Sequence, residues 1–235
     1  MKGVSLIVAA ALFNLFAYLT IKLRPKIYGT KLFKPMIWNI KLSIAPILIQ
    51  AVGLLTAIVF MIIAATFQID FIRYIGLGIV GVTLIAWLLF LPNSAYLVTE
   101  LNLTHRNADE VEVPIWYDII SVLSLSLSGV FNTILGIISI QLVYLITFDP
   151  NKINSLNRLI MTTTAIIIIV LVSIGMYLGR EIRFNSWDIL HPFQFIKRLF
   201  QHLKVKENRK NMVLFIVFHS IFLWLMYLSF GTSFY

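Results

Sequence analysis

Two arginines three residues apart, Arg180 and Arg183, lie in the stretch Gly179-Arg180-Glu181-Ile182-Arg183-Phe184-Asn185-Ser186-Trp187-Asp188. On a helix that spacing puts both guanidiniums on one face, where they could grip a phosphate or carboxylate in bidentate fashion. A second polar stretch, Phe90-Leu91-Pro92-Asn93-Ser94-Ala95-Tyr96-Leu97-Val98-Thr99-Glu100, is followed by His105, and a third reads Pro114-Ile115-Trp116-Tyr117-Asp118. Glu100, Asp118, Glu181 and Asp188 offer carboxylates for acid–base work or for pairing with arginine. Four carboxylates against two arginines leave no positive field, so an anion site requires some carboxylates to face elsewhere.

The candidate catalytic groups are therefore Asp118, Glu100 and His105. The candidate substrate-binding groups are Arg180, Arg183, Asn93, Tyr96, Asn185, Trp187 and Asp188. Glu100 with His105 is thin for a metal, which usually takes three or four ligands, so neither a metal nor a cofactor is expected. A competing reading makes the cluster an ion-pair and hydrogen-bond network at helix ends, with Trp116, Tyr117 and Trp187 as aromatic anchors at the membrane edge.

These three stretches resemble the pattern of an uncharacterised family of bacterial multi-spanning proteins, domain of unknown function 1361. The resemblance rests on Pro92, Asn93, Tyr96, Thr99, Glu100 and His105, then Trp116, Tyr117 and Asp118, then Gly179, Arg180, Arg183, Asn185, Ser186, Trp187 and Asp188. It covers roughly Trp38 to Pro192. Glu100, where the pattern more often has Asp, and the later-placed His105 depart from it. It implies a bacterial cell membrane as the location and carries no activity with it.

The elements that must position these groups are membrane spans. Of 235 residues 60% are hydrophobic and 12% charged, against about 45–50% and about 25% in soluble domains, and mean hydropathy is +0.92. That excludes a soluble enzyme and a disordered chain. The net charge of +9 is read as basic loops held against anionic lipid rather than as a nucleic-acid surface. With no cysteine, disulfides, thiolate metal sites and a cysteine nucleophile are absent.

Six apolar runs have the length of a bilayer crossing: Gly3–Ile21, Leu42–Phe67, Arg73–Leu91, Ile115–Phe148, Leu159–Leu178 and Met212–Thr232. The first is read as a span, because Asn14 interrupts the place where a signal cleavage site would stand. The fourth is overlong: Ile119 to Phe148 is 30 residues without a charge, about 45 Å as helix. It could tilt, protrude, break near Gly129 or Gly136, or form two half-spans. Charge parity decides for one crossing. With six spans, segments 22–41, 92–114 and 179–211 share one side and hold 15 Lys and Arg against 4 on the other. The positive-inside rule puts the 15 in the cytoplasm and both termini outside. The polar stretches, with Trp38 and Asn39, then converge on one membrane level.

The expected architecture is one all-α polytopic transmembrane bundle of six spans over residues 1–235, with an amphipathic interfacial helix near 192–206 on the cytoplasmic side. In that helix Phe193, Ile196, Phe200 and Leu203 share a face, opposite Gln194, Lys197, Arg198, Gln201 and Lys204. It is expected to lie on the inner leaflet; an ordinary helix packed on other loops is the alternative. Along the fourth span Asp118, Ser121, Ser124, Ser128, Asn132, Gly136 and Ser139 form a stripe, either a helix-packing face or a polar path for a transporter.

Two motifs fail in context. Gly76-x-Gly78-x-x-Gly81 matches a dinucleotide fingerprint by letters but sits inside an apolar span, where glycines serve helix packing. Ser126-Leu127-Ser128-Gly129 with His219 resembles the dyad of rhomboid-type intramembrane proteases, but lacks the first glycine and any glycine near His219. The function classes left are a membrane enzyme or binding protein for an anionic lipid head group or lipid-linked substrate, a small transporter or flippase component expected to be a homodimer, and a scaffold without chemistry. Membrane lipids are the expected partners, and nucleic acid is not.

Overall fold

The computed structural model describes residues 2–102, 106, 112–148, 155–182 and 191–230. Over these residues the chain is helical: α1 (Lys2–Tyr28), α2 (Lys34–Phe67), α3 (Asp70–Phe90), α4 (Pro92–Ala95), a 3₁₀ segment (Tyr96–Asn102), α5 (Ile115–Phe148), α6 (Ser155–Glu181), α7 (Pro192–Lys204) and α8 (Lys206–Phe230). Six of the helical stretches are long and apolar enough to cross a membrane: α1, α2, α3 with its continuation to Leu101, α5, α6 and α8.

The helices overrun the apolar stretches. α1 continues through Lys22, Arg24 and Pro25 before Gly29, at φ 69°, ends it in the left-handed region that glycine tolerates. Its backbone N–H closes on the Pro25 carbonyl at 2.9 Å. α2 starts at Lys34 rather than Leu42, with Pro35 in its first turn, where a missing N–H costs nothing. Gln68, also left-handed, caps α2 and turns the chain directly into α3.

α5 is the axis. It is one continuous helix of 34 residues, about 51 Å at ~1.5 Å per residue, and breaks at neither Gly129 nor Gly136. Val130, Ile134 and Ile137 on α5 are buried against Leu6 and Ala10 of α1, Trp87 of α3, Ile169 of α6 and Tyr227 of α8. Nearer its start, Val122 and Leu125 pack with Ala17 and Ile21 of α1 and Ile40 of α2. The outer helices turn large apolar side chains outward: Val52 and Leu55 on α2, Phe71 and Val82 on α3, Phe218 and Leu225 on α8. Such faces are ordinary against lipid tails and unsustainable against water.

The stretch after α3 is not a surface loop. Leu91, Ser94, Ala95 and Leu97 are fully buried, wedged between α2, α5 and α6. Two glycines make the room. A Cβ on Gly129 would stand 2.3 Å from the Ser94 carbonyl oxygen, and one on Gly175 would stand 2.4 Å from Pro92 Cγ. The Ser94 hydroxyl donates to the Ser43 carbonyl at 2.6 Å, tying the wedge to α2.

Candidate functional site

Asp118, in the first turn of α5, is fully buried and held by two arginines. Arg24 on α1 reaches it with Nε to Oδ1 at 2.7 Å and Nη2 to Oδ2 at 3.2 Å. Arg106 adds a short bond from Nη1 to Oδ2 and spends Nη2 on the Val113 carbonyl at 3.0 Å. Around them Tyr117 donates its hydroxyl proton to the Thr20 carbonyl at 2.8 Å, and Thr20 and Ser121 share a 3.0 Å hydroxyl contact. A buried carboxylate needs this kind of saturation, because desolvation otherwise costs several kcal/mol per ion. Both oxygens of Asp118 are committed to arginine.

Arg180, at the end of α6, stands elsewhere. Its Nη1 donates to the Thr99 carbonyl at 2.8 Å and its Nε lies 3.8 Å from Glu181 Oε1. Its side chain is about a third exposed, and among the described residues Nη2 has no partner. Glu100, one residue beyond Thr99, feels the Arg180 charge and accepts a 2.9 Å bond from Asn39 Nδ2 of α2. Asn93 and Tyr96, upstream on the wedge, are partly exposed. Among the described residues, then, the guanidinium has an uncommitted donor for an anion, and Glu100 has one oxygen, Oε2, without a partner.

The polar groups expected together thus divide into two. Glu100, Asn93 and Tyr96 lie on the wedge segment whose end meets Arg180. Asp118 belongs to a separate, closed ion-pair cluster. This settles the charge count: the Asp118 charge is taken up by Arg24 and Arg106, so among the described residues Arg180 faces Glu100 and Glu181. His105, Arg183, Asn185, Trp187 and Asp188 lie outside the described residues. Segments 22–41, 92–102 and the end of α6 meet at one end of the bundle, through Arg24–Asp118, Asn39–Glu100 and Arg180–Thr99, in keeping with six crossings.

The stripe on α5 points inward and its groups bond within the protein. Asn132 and Asn14 pair reciprocally, and Asn132 also donates to Ser43 Oγ at 2.9 Å. Ser124 and Ser128 bond to Ile120 and Leu125 carbonyls of their own helix. Ser139 donates to Gln50 Oε1 at 2.8 Å. These are the small and polar contacts that hold membrane helices together. His219 stacks on Phe215 at 3.8 Å and meets its carbonyl at 2.9 Å, and it makes no bond to Ser128. Of the three span glycines Gly76, Gly78 and Gly81, only Gly76 packs closely, against Met61 and Ala57; Gly78 and Gly81 face open space.

Sequence reasoning missed Arg24 and Arg106 and gave Asn39 only a place in the convergence. Arg24 stands three residues beyond an apolar run, where it reads as one of many loop cations. Pro25 beside it argues for the end of a helix, so no local signal marked it. Two described cavities, of about 460 Å³ along the apolar side of α1 and about 510 Å³ at the α2–α3 turn, lie away from Arg180. Among the described residues no group of three His, Asp or Glu is placed to hold a metal ion.

A family model described as a protein of unknown function (DUF1361) matches residues 38–226. No curated protein and no solved structure matches the chain.

Proposed function

For this chain, which belongs to the DUF1361 family, we propose binding of an anionic lipid head group or lipid-linked substrate at the Arg180 end of the bundle. One observation carries the reading: Arg180 is anchored through one nitrogen to the carbonyl of Thr99, the neighbour of Glu100, and among the described residues its Nη2 has no partner. An anchored, partly exposed guanidinium is suited to phosphate or carboxylate, because its planar fork is already oriented. Glu100, with one oxygen bonded to Asn39, has the other to offer a head-group hydroxyl. In this reading Asp118 is a structural anchor rather than the base, and the wedge segment carries the specificity through Asn93 and Tyr96.

The test uses the full chain reconstituted in phosphatidylcholine nanodiscs with and without phosphatidylglycerol. Retained lipid is counted by native mass spectrometry for wild type, Arg180→Ala and Glu100→Gln. The expected result is preferential retention of phosphatidylglycerol by wild type and loss of that preference in Arg180→Ala with unchanged thermal unfolding. Equal retention by wild type and Arg180→Ala would sink the proposal. The transporter alternative rests on the α5 stripe, whose bonds close on one another. The scaffold alternative fits the Arg24–Asp118–Arg106 half of the same end.

A further inference from the structure

Helix α7 presents three faces where two were expected. At about 100° per residue, Phe195, Leu199 and His202 share one side and dock it on the bundle, and Leu203, expected on the outer apolar face, is half-buried at its border. His202 Nε2 meets the Tyr177 hydroxyl of α6 at 2.8 Å, and Asn208 Nδ2 of α8 donates to the His202 carbonyl at 3.0 Å. The second side, Phe193, Ile196 and Phe200, is exposed by 89%, 48% and 65%, and nothing among the described residues covers it. The third carries Gln194 and Gln201, with Lys197 and Lys204 on its border with the apolar side. From Pro192 to Lys210 six exposed Lys and Arg stand against the single acid Glu207.

We propose that α7 is a membrane-surface docking element whose Phe193, Ile196 and Phe200 face rests in the acyl boundary of an anionic leaflet. The occupant follows from charge and placement. The strip is bordered by lysines, whose stems lie along apolar surface while the ammonium reaches outward to phosphate. Tyr177, which holds α7, lies one turn before Arg180 on α6, so the strip sits at the end of the bundle where the spans leave the membrane. A helix of 13 residues is too short to cross a bilayer, which takes about 20, and with a basic side it is suited to lie along one. Anionic lipid adds electrostatic attraction for each lysine near the surface. None of this depends on Arg180 binding a ligand.

The chain lacks cysteine, so single cysteines report cleanly. In the full-length protein, Phe193→Cys and Gln194→Cys are labelled with an environment-sensitive fluorophore. They are reconstituted in phosphatidylcholine vesicles with or without phosphatidylglycerol, each containing acyl-chain-brominated lipid as quencher. The dye at position 193 should be blue-shifted and quenched by brominated lipid, more strongly with phosphatidylglycerol, while that at 194 stays aqueous. Adding Lys197→Gln and Lys204→Gln should remove the dependence on phosphatidylglycerol. An aqueous, unquenched dye at position 193 in both vesicles overturns the proposal. So does efficient oxidative cross-linking of two Phe193→Cys chains, which would assign the face to a second copy. Because the lysine variants leave Arg180 intact, failure here is separable from failure of head-group binding there.

Discussion

Asn14 of α1 and Asn132 of α5 hydrogen-bond each other in both directions, at 2.8 Å and 3.1 Å. The pair sits midway along the bundle, where water offers no substitute partner. Interhelical polar contacts in membranes contribute about 0.6 kcal/mol on average and up to about 1.7. Asn132→Leu, which also strands Ser43, should lower stability by about 1–2 kcal/mol. The double variant Asn14→Leu/Asn132→Leu should recover part of that loss. Unfolding in mixed micelles measures both; a double variant less stable than the sum of the singles would contradict the pairing.

The Asp118 cluster is more demanding. Removing one member of a buried ion pair costs about 3–5 kcal/mol, because the remaining charge is stranded. Arg24→Met should therefore destabilise strongly, and so should Asp118→Leu. Together they should cost less than either alone. Arg106→Gln should be milder, since its side chain is a quarter exposed. A double-mutant cycle by thermal unfolding in detergent checks the order.

Glycine substitutions should separate close approach from empty space. Gly129→Ala presses on the Ser94 carbonyl, which as backbone cannot move aside without shifting the wedge. Overpacking of this kind costs about 1–3 kcal/mol. Gly78→Ala and Gly81→Ala meet nothing within 4 Å and should be neutral or slightly stabilising. Equal effects at positions 129 and 78 would argue against the wedge.

Orientation is open to a direct test. A reporter active only outside the cytoplasm, fused after Tyr235, should be active, and one inserted in the segment between α6 and α7 should be silent. The reverse pattern would invert the charge-parity assignment.

The span count and the amphipathic helix were legible because hydropathy and charge repeat along a membrane chain at helical intervals, whereas an unbroken fourth helix was one of several options. The wedge was not. Pro92-Asn93-Ser94 reads as a turn ending a span, and only the absence of a Cβ at Gly129 and Gly175, dozens of residues away, lets that stretch fold inward. The resemblance singled out Asp118 and Glu100 together, but sequence could not say that they serve different clusters. That division depends on Arg24, which hydropathy assigns to a loop. Asn14, read as a blemish in an apolar run, is half of a buried pair.

The distance along the chain between Arg24 and Asp118, 94 residues, has a consequence for biogenesis. Synthesis at about 5–20 residues per second delivers Arg24 to the membrane edge roughly 5–20 s before the carboxylate that neutralises it exists. During that interval α1 carries an unpaired cation at its end, free to rest among head-group phosphates. Arg24 is then expected to reach its buried position only once α5 has been made. A nascent chain truncated before Asp118 should leave position 24 open to aqueous reagents, and one extended past α5 should close it.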